Sequence, residues 1–244
     1  MRTVLLCLFS LLVSATAAPR DGGEGREIML DLVARVPTRD REIMGLLKIR
    51  DASGARTELP IKLEITRKGE EVWQDRYHTP GDAKIPAQIL TITHFPGLTN
   101  RYQMEGSQVV GGPFQSSILT GTNIFSPFAT SDFWVADWGL EFFHWPEQTV
   151  IKREMRKGRS CRVVESRNPN PASTTYSRVL SWIDYETGNL IRAEAFDSRG
   201  KLLKKFSVRS IKKVDGRWQV KELEIENEQT GSQTILHFTF EMTE

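Results

Sequence analysis

The stretch LEIENEQTGSQTILHFTFEM, residues 223–242, indicates most clearly how this chain folds. In its second half, apolar residues from Leu236 to Met242 occupy every other position. Alternation with a period of two is the pattern of a β-strand that buries one face. Thr230-Gly231 separates this strand from the one before it and supplies the residues of a tight turn. The stretch therefore predicts an antiparallel hairpin.

The same pattern extends over the whole C-terminal third of the chain. Its predicted strands are Val150–Met155, Cys161–Ser166, Tyr176–Asp184, Leu190–Phe196, Leu202–Ile211, Trp218–Glu226 and Gln233–Met242. Short links that contain glycine, such as Thr187-Gly188-Asn189, join them, so consecutive strands should pair antiparallel in a meander. The alternation shifts by one residue between Val220 and Leu223, which predicts a β-bulge near Lys221-Glu222 and a coiled sheet.

The first half of the chain predicts one helix followed by further strands. Glu27–Val36 has apolar residues on one helical face, and Pro37 ends it. Shorter alternating runs follow between Gly45 and His94. We therefore expect a mainly β (α+β) fold in which residues 27–244 form a single domain built on a curved antiparallel sheet.

The N-terminus has the features of a secretory signal peptide over residues 1–17. Arg2 gives the positive charge, VLLCLFSLLV (residues 4–13) is the apolar run, and Ala15-Thr16-Ala17 fits a signal-peptidase site. The apolar run is shorter than the about 20 residues that span a bilayer. Residues 18–26 are polar and rich in glycine, so we expect a flexible leader there. The chain is expected to be secreted into the periplasm.

The cysteine content excludes a fold held by internal disulfides. Cys7 lies in the predicted signal peptide, so Cys161 is the one cysteine of the expected mature chain. The fold must therefore depend on its apolar core. Cys161 alternates with Val163 in a strand-like segment, which is typical of an inert, buried thiol.

Composition and motifs point away from most enzymes and from nucleic-acid binding. The formal net charge of +2 over 244 residues lacks the basic excess of a nucleic-acid binder. The sequence contains no metalloprotease, serine-hydrolase, nucleotide-binding-loop or dinucleotide motif. Its four histidines are scattered without the spacing of metal ligands. We expect a non-enzymatic protein without cofactor or metal, although two distant catalytic carboxylates would leave no local pattern.

The most distinctive stretch is SDFWVADWGLEFFHW, residues 131–145, which we term the aromatic segment. It is predicted to form one helix, with Ser131 at its N-cap and Pro146 as its stop. Its candidate ligand-binding residues are Phe133, Trp134, Trp138, Phe142, Phe143 and Trp145. Four of them would form one stripe along the helix: Trp134, Trp138, Phe142 and Trp145. Two interpretations remain open: the helix is core on the concave side of the sheet, or it is a lid over an apolar cavity for an acyl chain.

A basic cluster follows between residues 152 and 162, with Glu154 as its one acid, and we term it the basic hairpin. Four of its cations are candidates for contact with anionic lipid head groups or with an acidic partner protein: Arg153, Arg156, Lys157 and Arg159. The alternative interpretation is an ordinary solvated face of a hairpin.

Short sequence features that extend over most of the predicted domain point to a family. They are REIMGLLKIR (residues 41–50) around Gly45, Ser131-Asp132-Phe133 with Asp137-Trp138, Trp182-Ile183-Asp184, Asp197-Ser198-Arg199-Gly200-Lys201-Leu202, Gly216-Arg217-Trp218, Asn227 and Thr234. In these features the chain resembles the periplasmic outer-membrane lipoprotein-sorting family, the LolA-like proteins, and in particular their uncharacterised bacterial branch.

The resemblance implies an incomplete antiparallel β-barrel of the LolA/LolB type, with helices covering its concave face. The founding members of that family accept lipoprotein acyl chains there and carry them across the periplasm. The resemblance also implies a ligand-contacting arginine, for which Arg39, Arg41 and Arg50 near the first strand are candidates. This chain differs from those carriers in its longer middle insertion and its unusually aromatic helix.

Two functional hypotheses follow. In the first, the protein is a periplasmic carrier or chaperone that binds acyl chains of lipoproteins or lipids in an apolar cavity for outer-membrane sorting. A membrane-associated protein would be its donor or acceptor. In the second, the same fold is a periplasmic lipid-sensing regulatory or interaction module, and the basic hairpin is its docking face. Neither hypothesis involves nucleic acid.

Overall fold

The computed structural model describes residues 22–107, 109–214 and 216–240. The predicted signal peptide, residues 1–17, lies outside the described residues, as do positions 18–21 of the predicted leader. No helix within the described part of the chain is both long and apolar enough to cross a membrane.

The protein consists of a large antiparallel sheet with a few short helical elements. Its strands are β1 Arg41–Arg50, β2 Arg56–Arg67, β3 Trp73–Thr79, β4 Gln88–His94, β5 Arg101–Gly106, β6 Gln115–Leu119, β7 Glu147–Arg156, β8 Arg159–Arg167, β9 Arg178–Asp184, β10 Leu190–Phe196, β11 Leu202–Val214, β12 Arg217–Asn227 and β13 Gln233–Thr239. Its helices are α1 Gly22–Val33 and α2 Val135–Trp138, with 3-10 turns at Gly121–Ile124 and Glu141–Phe143. The predicted mainly β fold class is confirmed, and so are the seven C-terminal strands.

The sheet is built from two meanders joined edge to edge. Its strand order is β6-β5-β4-β3-β2-β1-β13-β12-β11-β10-β9-β8-β7, and β1 pairs antiparallel with β13. At this junction a Cβ on Gly45 would lie 2.8 Å from the carbonyl oxygen of His237, so the close approach of the two strands requires glycine. Strands β6 and β7 end the order without pairing to each other, which leaves the curved sheet open, as an incomplete barrel.

The predicted β-bulge is confirmed in the long β11–β12 hairpin. Val208 pairs with Leu223, Ser210 with Glu222 and Ile211 with Val220, which leaves Arg209 of β11 and Lys221 of β12 without a cross-strand partner. Each unpaired residue shifts the alternation of its own strand by one position, so the apolar residues on either side of it return to the same face of the sheet.

Two strands were not predicted, β5 and β6. The sequence of β6, Gln115–Leu119, has polar residues at its first three positions, so it shows no alternation. As an edge strand it is exposed over most of its length and has no core face that would impose a pattern.

The flexible leader predicted over residues 18–26 is wrong for residues 22–26, which form the first turns of α1. The Glu24 carboxylate lies 3.1 Å from the Arg153 guanidinium of β7. The Arg26 side chain donates to the carbonyl of Trp145 at 3.1 Å. Gly25 packs directly against the backbone of Gln148 in β7. These contacts with distant residues order a stretch that its composition alone describes as flexible.

We expect Gly25→Ala to destabilise the protein, although the same change in a free helix stabilises it by roughly 0.5–1 kcal/mol. A Cβ at this position would lie 2.6 Å from the carbonyl oxygen of Gln148, so α1 must move away from β7. Overpacking of this kind costs about 1–3 kcal/mol. Urea unfolding measures the change, and a gain in stability would contradict the packing of α1 on β7.

The apolar core is divided between the two meanders. One cluster lies mainly on β1 to β5, around residues such as Leu47 and Leu90, and extends to Ile225 of β12 and Leu236 of β13. The other lies on β8 to β10 and includes Ile183 together with Met29 of α1. Cys161 is buried in a smaller third cluster, as predicted, and burial raises the pKa of its thiol.

Candidate functional site

The aromatic segment does not form one helix, and that prediction is wrong. The helix α2 covers only Val135–Trp138, and its N-cap is Trp134 rather than Ser131. After α2 the chain turns at Leu140, whose φ of 47° lies in the left-handed region, before the 3-10 turn at Glu141–Phe143. The segment is therefore two short turns separated by a break.

Contacts within and outside the segment explain where α2 begins and ends. The Asp137 carboxylate accepts a hydrogen bond from the Trp134 N–H at 2.8 Å, which starts the helix at that residue. The Asn100 side chain donates to the Gly139 carbonyl at 2.8 Å. The Tyr102 side chain lies so close to Gly139 that any Cβ there would collide with it. Residues from the β5 region thus end a helix that the local pattern would have continued.

A buried lysine holds the aromatic segment on the sheet. Lys204 of β11 is 2% exposed, and its Nζ donates to the Asp132 carbonyl at 2.7 Å. The same Nζ lies 3.3 Å from Asp137 Oδ2 and 3.5 Å from the centroid of the Trp134 ring. The Tyr176 hydroxyl donates to the other oxygen of Asp137 at 2.8 Å. We term this group the Lys204 anchor.

Burial shapes the ionisation of the Lys204 anchor. It lowers the pKa of Lys204 to about 8, while the Asp137 carboxylate opposes that shift. Burial also raises the pKa of Tyr176 well above its usual value, so that its hydroxyl remains a hydrogen-bond donor. At neutral pH the Lys204 ammonium group therefore contacts the Asp137 carboxylate, the Asp132 carbonyl and the face of the Trp134 ring.

We expect Lys204→Met to lower the free energy of unfolding by about 3–5 kcal/mol, because it leaves the buried Asp137 carboxylate without its counter-ion. The matched control is Lys205→Met on the same strand, since Lys205 pairs with Glu228 near the surface. That control should change stability by about 1 kcal/mol or less. Chemical denaturation of both variants makes the comparison, and equal losses would contradict the role of the anchor.

The structure divides the six candidate aromatic residues between the two core clusters. Those in the cluster on β1 to β5 are Phe133 and Trp138. Those in or against the cluster on β8 to β10 are Trp134, Phe142, Phe143 and Trp145. The predicted single stripe is therefore absent from these residues, and Phe143 is the one of the six that lines the cavity described next.

A cavity of about 490 Å³ lies on the covered face of the sheet, beyond the break in the aromatic segment. Its walls come from the C-terminal end of α1, the ends of β3 and β4, the turn from Gly139 to His144, the β9–β10 turn and the β11–β12 hairpin. Most of the lining side chains are apolar. The volume falls within the roughly 300–1,000 Å³ that is typical of small-molecule sites.

The bulged β11–β12 hairpin forms the longest wall of the cavity. Its apolar lining residues are Phe206, Val208, Ile211, Trp218, Val220 and Leu223. Trp218 is 67% exposed and Ile211 is 45% exposed, so this wall presents uncovered apolar surface. None of these residues was among the predicted site residues, because a cavity wall and a packed core show the same alternation along a strand.

Several polar groups in the lining are paired with each other or with neighbours. The Arg159 guanidinium donates to Asp184 Oδ2 at 2.8 Å, and the Thr187 hydroxyl donates to the same oxygen at 2.6 Å. His94 Nε2 lies 3.1 Å from Asp75 Oδ2. His144 lies at the same end of the lining, and burial lowers its pKa to about 4.

Glu141 lies within the turn from Gly139 to His144 but is not a lining residue, and burial shifts its pKa in the opposite direction to that of His144. Burial raises its pKa to about 7, although the Tyr102 hydroxyl donates to its carboxylate at 2.8 Å. The folded chain therefore holds this proton more tightly than the unfolded chain between about pH 4.5 and 7, so stability falls as pH rises through that window. His144 has the opposite effect between about pH 4 and 6.5.

Replacing Glu141 by Gln removes one of these two titrations and keeps an acceptor for Tyr102. We compare the free energy of unfolding of Glu141→Gln with that of the unchanged protein at each pH. As the pH rises from 5 to 8, this difference should shift in favour of the variant by about 1–3 kcal/mol. Urea unfolding at the two pH values gives this difference directly. A difference that does not change with pH would show that Glu141 is ionised in the folded protein throughout.

The four candidate cations of the basic hairpin contact other parts of the protein. Arg153 pairs with Glu24 of α1, and Arg159 pairs with the buried Asp184. The Lys157 ammonium donates to the Val208 carbonyl of β11 at 2.8 Å. The Arg156 guanidinium lies 5.8 Å from the centroid of the Trp182 ring. Arg159 is the one of the four that lines the cavity.

The three arginines considered near the first strand do not line the cavity within the described residues. Arg50 donates to the Gly231 carbonyl at 3.1 Å, at the far end of β1. A different arginine lies beside the cavity, since Arg35, just after α1, donates to Asn189 Oδ1 at 2.7 Å. The described part of the chain also contains no group of three or more metal-ligand side chains that would hold a metal ion.

Comparisons with known proteins agree with this architecture. A family model described as an uncharacterized protein matches residues 118–242, just over half of the chain. No curated protein matches the sequence. The matched region contains the aromatic segment, the basic hairpin and the β11–β12 wall.

Solved structures with similar folds cover nearly the whole chain. A DUF1329 family protein from Desulfovibrio piger has a TM-score of 0.73 and 19% identity, over 89% of this chain and 91% of that chain. A domain assigned to outer membrane lipoprotein sorting from Vibrio parahaemolyticus has a TM-score of 0.74 and 16% identity, over 90% and 92%. A LolA superfamily protein from Nitrosomonas europaea has a TM-score of 0.62 and 15% identity, over 91% and 94%. The fold is therefore the LolA-like incomplete barrel.

Proposed function

This chain belongs to an uncharacterised LolA-like family, and on that premise we propose that it is a periplasmic carrier which binds the acyl chain of a lipoprotein or lipid. The observation that carries the proposal is the cavity of about 490 Å³ between the aromatic segment and the β11–β12 hairpin. Its lining offers an acyl chain mostly apolar contacts, and the solved relatives include a domain assigned to lipoprotein sorting.

The hydrophobic effect supplies the binding energy. Each methylene group transferred from water to an apolar site contributes roughly 0.8 kcal/mol. A chain with about ten buried methylenes therefore gains about 8 kcal/mol before the costs of ordering the chain and the protein are subtracted. The exposed Trp218 and Ile211 would lose contact with water in the same step. No covalent chemistry is needed for this function.

Release follows from the same energetics. A carrier gives up its acyl chain when an acceptor buries that chain more completely, so transfer requires a partner at the receiving membrane. Of the basic hairpin, Arg156 makes no ion pair with a described residue and remains available to an anionic membrane surface or an acidic partner. Arg153 and Arg159 form ion pairs, and Lys157 donates to a backbone carbonyl, so these three side chains serve the fold first. This favours a carrier over a module whose hairpin is a dedicated docking face.

Two isoleucines provide a matched test of the cavity. Ile211 lies in the cavity wall at 45% exposure, while Ile118 lies on the edge strand β6 at 61% exposure and outside the cavity. We expect Ile211→Glu to weaken binding of a fluorescent acyl glyceride about tenfold or more, because a lost isoleucine contact is worth about 1.5–3 kcal/mol. Ile118→Glu should leave binding unchanged. Fluorescence polarisation measures both affinities.

Two outcomes would contradict the carrier proposal. The unchanged protein would show no saturable binding of the acyl glyceride, or Ile118→Glu would weaken binding as much as Ile211→Glu does. Thermal unfolding of both variants provides the control for loss of structure.

A further inference from the structure

Within the described residues, the cavity lining contains few charged side chains. Arg159 is the one arginine or lysine of this lining and Asp184 is its one aspartate or glutamate, and they pair with each other at 2.8 Å. Asp184 is buried and also accepts a hydrogen bond from Thr187. The pair therefore contributes no net charge to the cavity.

The two lining histidines also offer no unpaired positive charge. His94 faces Asp75 at 3.1 Å, so a proton on His94 would meet that carboxylate. His144 is kept neutral above about pH 4 by burial, with His94 and Arg26 acting in the same direction. The remaining polar lining groups, Asn100, Asn189 and Gln219, are amides.

An anionic head group would find no free counter-ion in this lining, and the adjacent Arg35, outside the lining, already donates to Asn189 and to the carbonyls of Thr187 and Gly188. A carboxylate that leaves water needs a positive charge or several hydrogen-bond donors to offset its lost hydration. The one guanidinium present is already paired with a buried carboxylate that would repel a second anion. An uncharged head group with hydroxyl or ester oxygens meets no such repulsion, and the amides and Thr187 offer it hydrogen bonds.

We propose that the cavity selects acyl chains with an uncharged polar head, such as acylglycerols, over free fatty-acid anions, and that the Arg159–Asp184 pair sets this selectivity. The inference deepens the proposed carrier function and rests on it. It names the ligand class as a neutral acyl ester. It also assigns Asp184 the role of neutralising the cation that a fatty-acid carboxylate would otherwise use.

The test uses displacement of a neutral fluorophore, N-phenyl-naphthylamine, from the full-length protein at pH 8. The competitors are monolaurin and laurate, which share the same acyl chain, each below its critical micelle concentration. We expect monolaurin to displace the fluorophore at a concentration at least about tenfold lower than laurate. Displacement by neither ligand would overturn the proposed carrier function itself. Equal displacement, or stronger displacement by laurate, would overturn only the head-group selectivity.

Two variants at the pair should shift the preference in opposite directions. Asp184→Asn keeps an acceptor for Thr187 but frees the Arg159 cation, so the preference for monolaurin over laurate should fall about tenfold. Arg159→Gln leaves the Asp184 carboxylate alone, so the preference should widen. The matched control is Glu154→Gln, which frees Lys152 outside the cavity lining and should leave the ratio unchanged.

The variants remain informative if one of them fails to fold. Circular dichroism establishes which are folded, and the ratio for the unchanged protein does not depend on them. A folded Asp184→Asn protein with the unchanged ratio would overturn the role of the pair. So would a Glu154→Gln protein that loses the preference for monolaurin.

Discussion

The buried ammonium group of Lys204 is the interaction on which the arrangement of this protein depends. It connects β11 to the backbone of Asp132, the carboxylate of Asp137 and the ring of Trp134. A buried ion pair adds little net stability compared with an apolar pair, but a missing partner is costly, so the contact specifies one position for the segment. The aromatic segment is thereby held over the middle of the sheet, and the cavity remains where the segment turns away.

The β-bulge explains why the far wall of that cavity is apolar. Without an extra residue at Lys221, a strict alternation would turn either Val220 or Leu223 to the outer face. With it, the long β11–β12 hairpin presents one apolar face from the half-buried Phe206 to the exposed Trp218. A monomer that leaves such a surface open to water gains from any guest that covers it.

Local patterns were sufficient to predict the strands other than β5 and β6, the bulge and the buried Cys161, because each depends on alternation along one strand. They were insufficient for the aromatic segment, since Asn100 and Tyr102 end α2 from a distant part of the chain. The sequence does contain a sign of the Lys204 anchor, because Lys204 occupies the same alternating face of its strand as Leu202, Phe206 and Val208. The cavity cannot be read from the sequence, because residues that line a cavity and residues that pack in a core show the same alternation along a strand.

The central claim is that an acyl chain lies between the turn after α2 and the bulged hairpin. Photo-crosslinking of an acyl glyceride that carries a diazirine on its chain tests this most directly, with the labelled peptides identified by mass spectrometry. The account predicts labels on peptides from residues 139–144 and 202–223, and their loss when excess monolaurin competes. Labels confined to the edge strand β6, or labelling that monolaurin does not reduce, would contradict it.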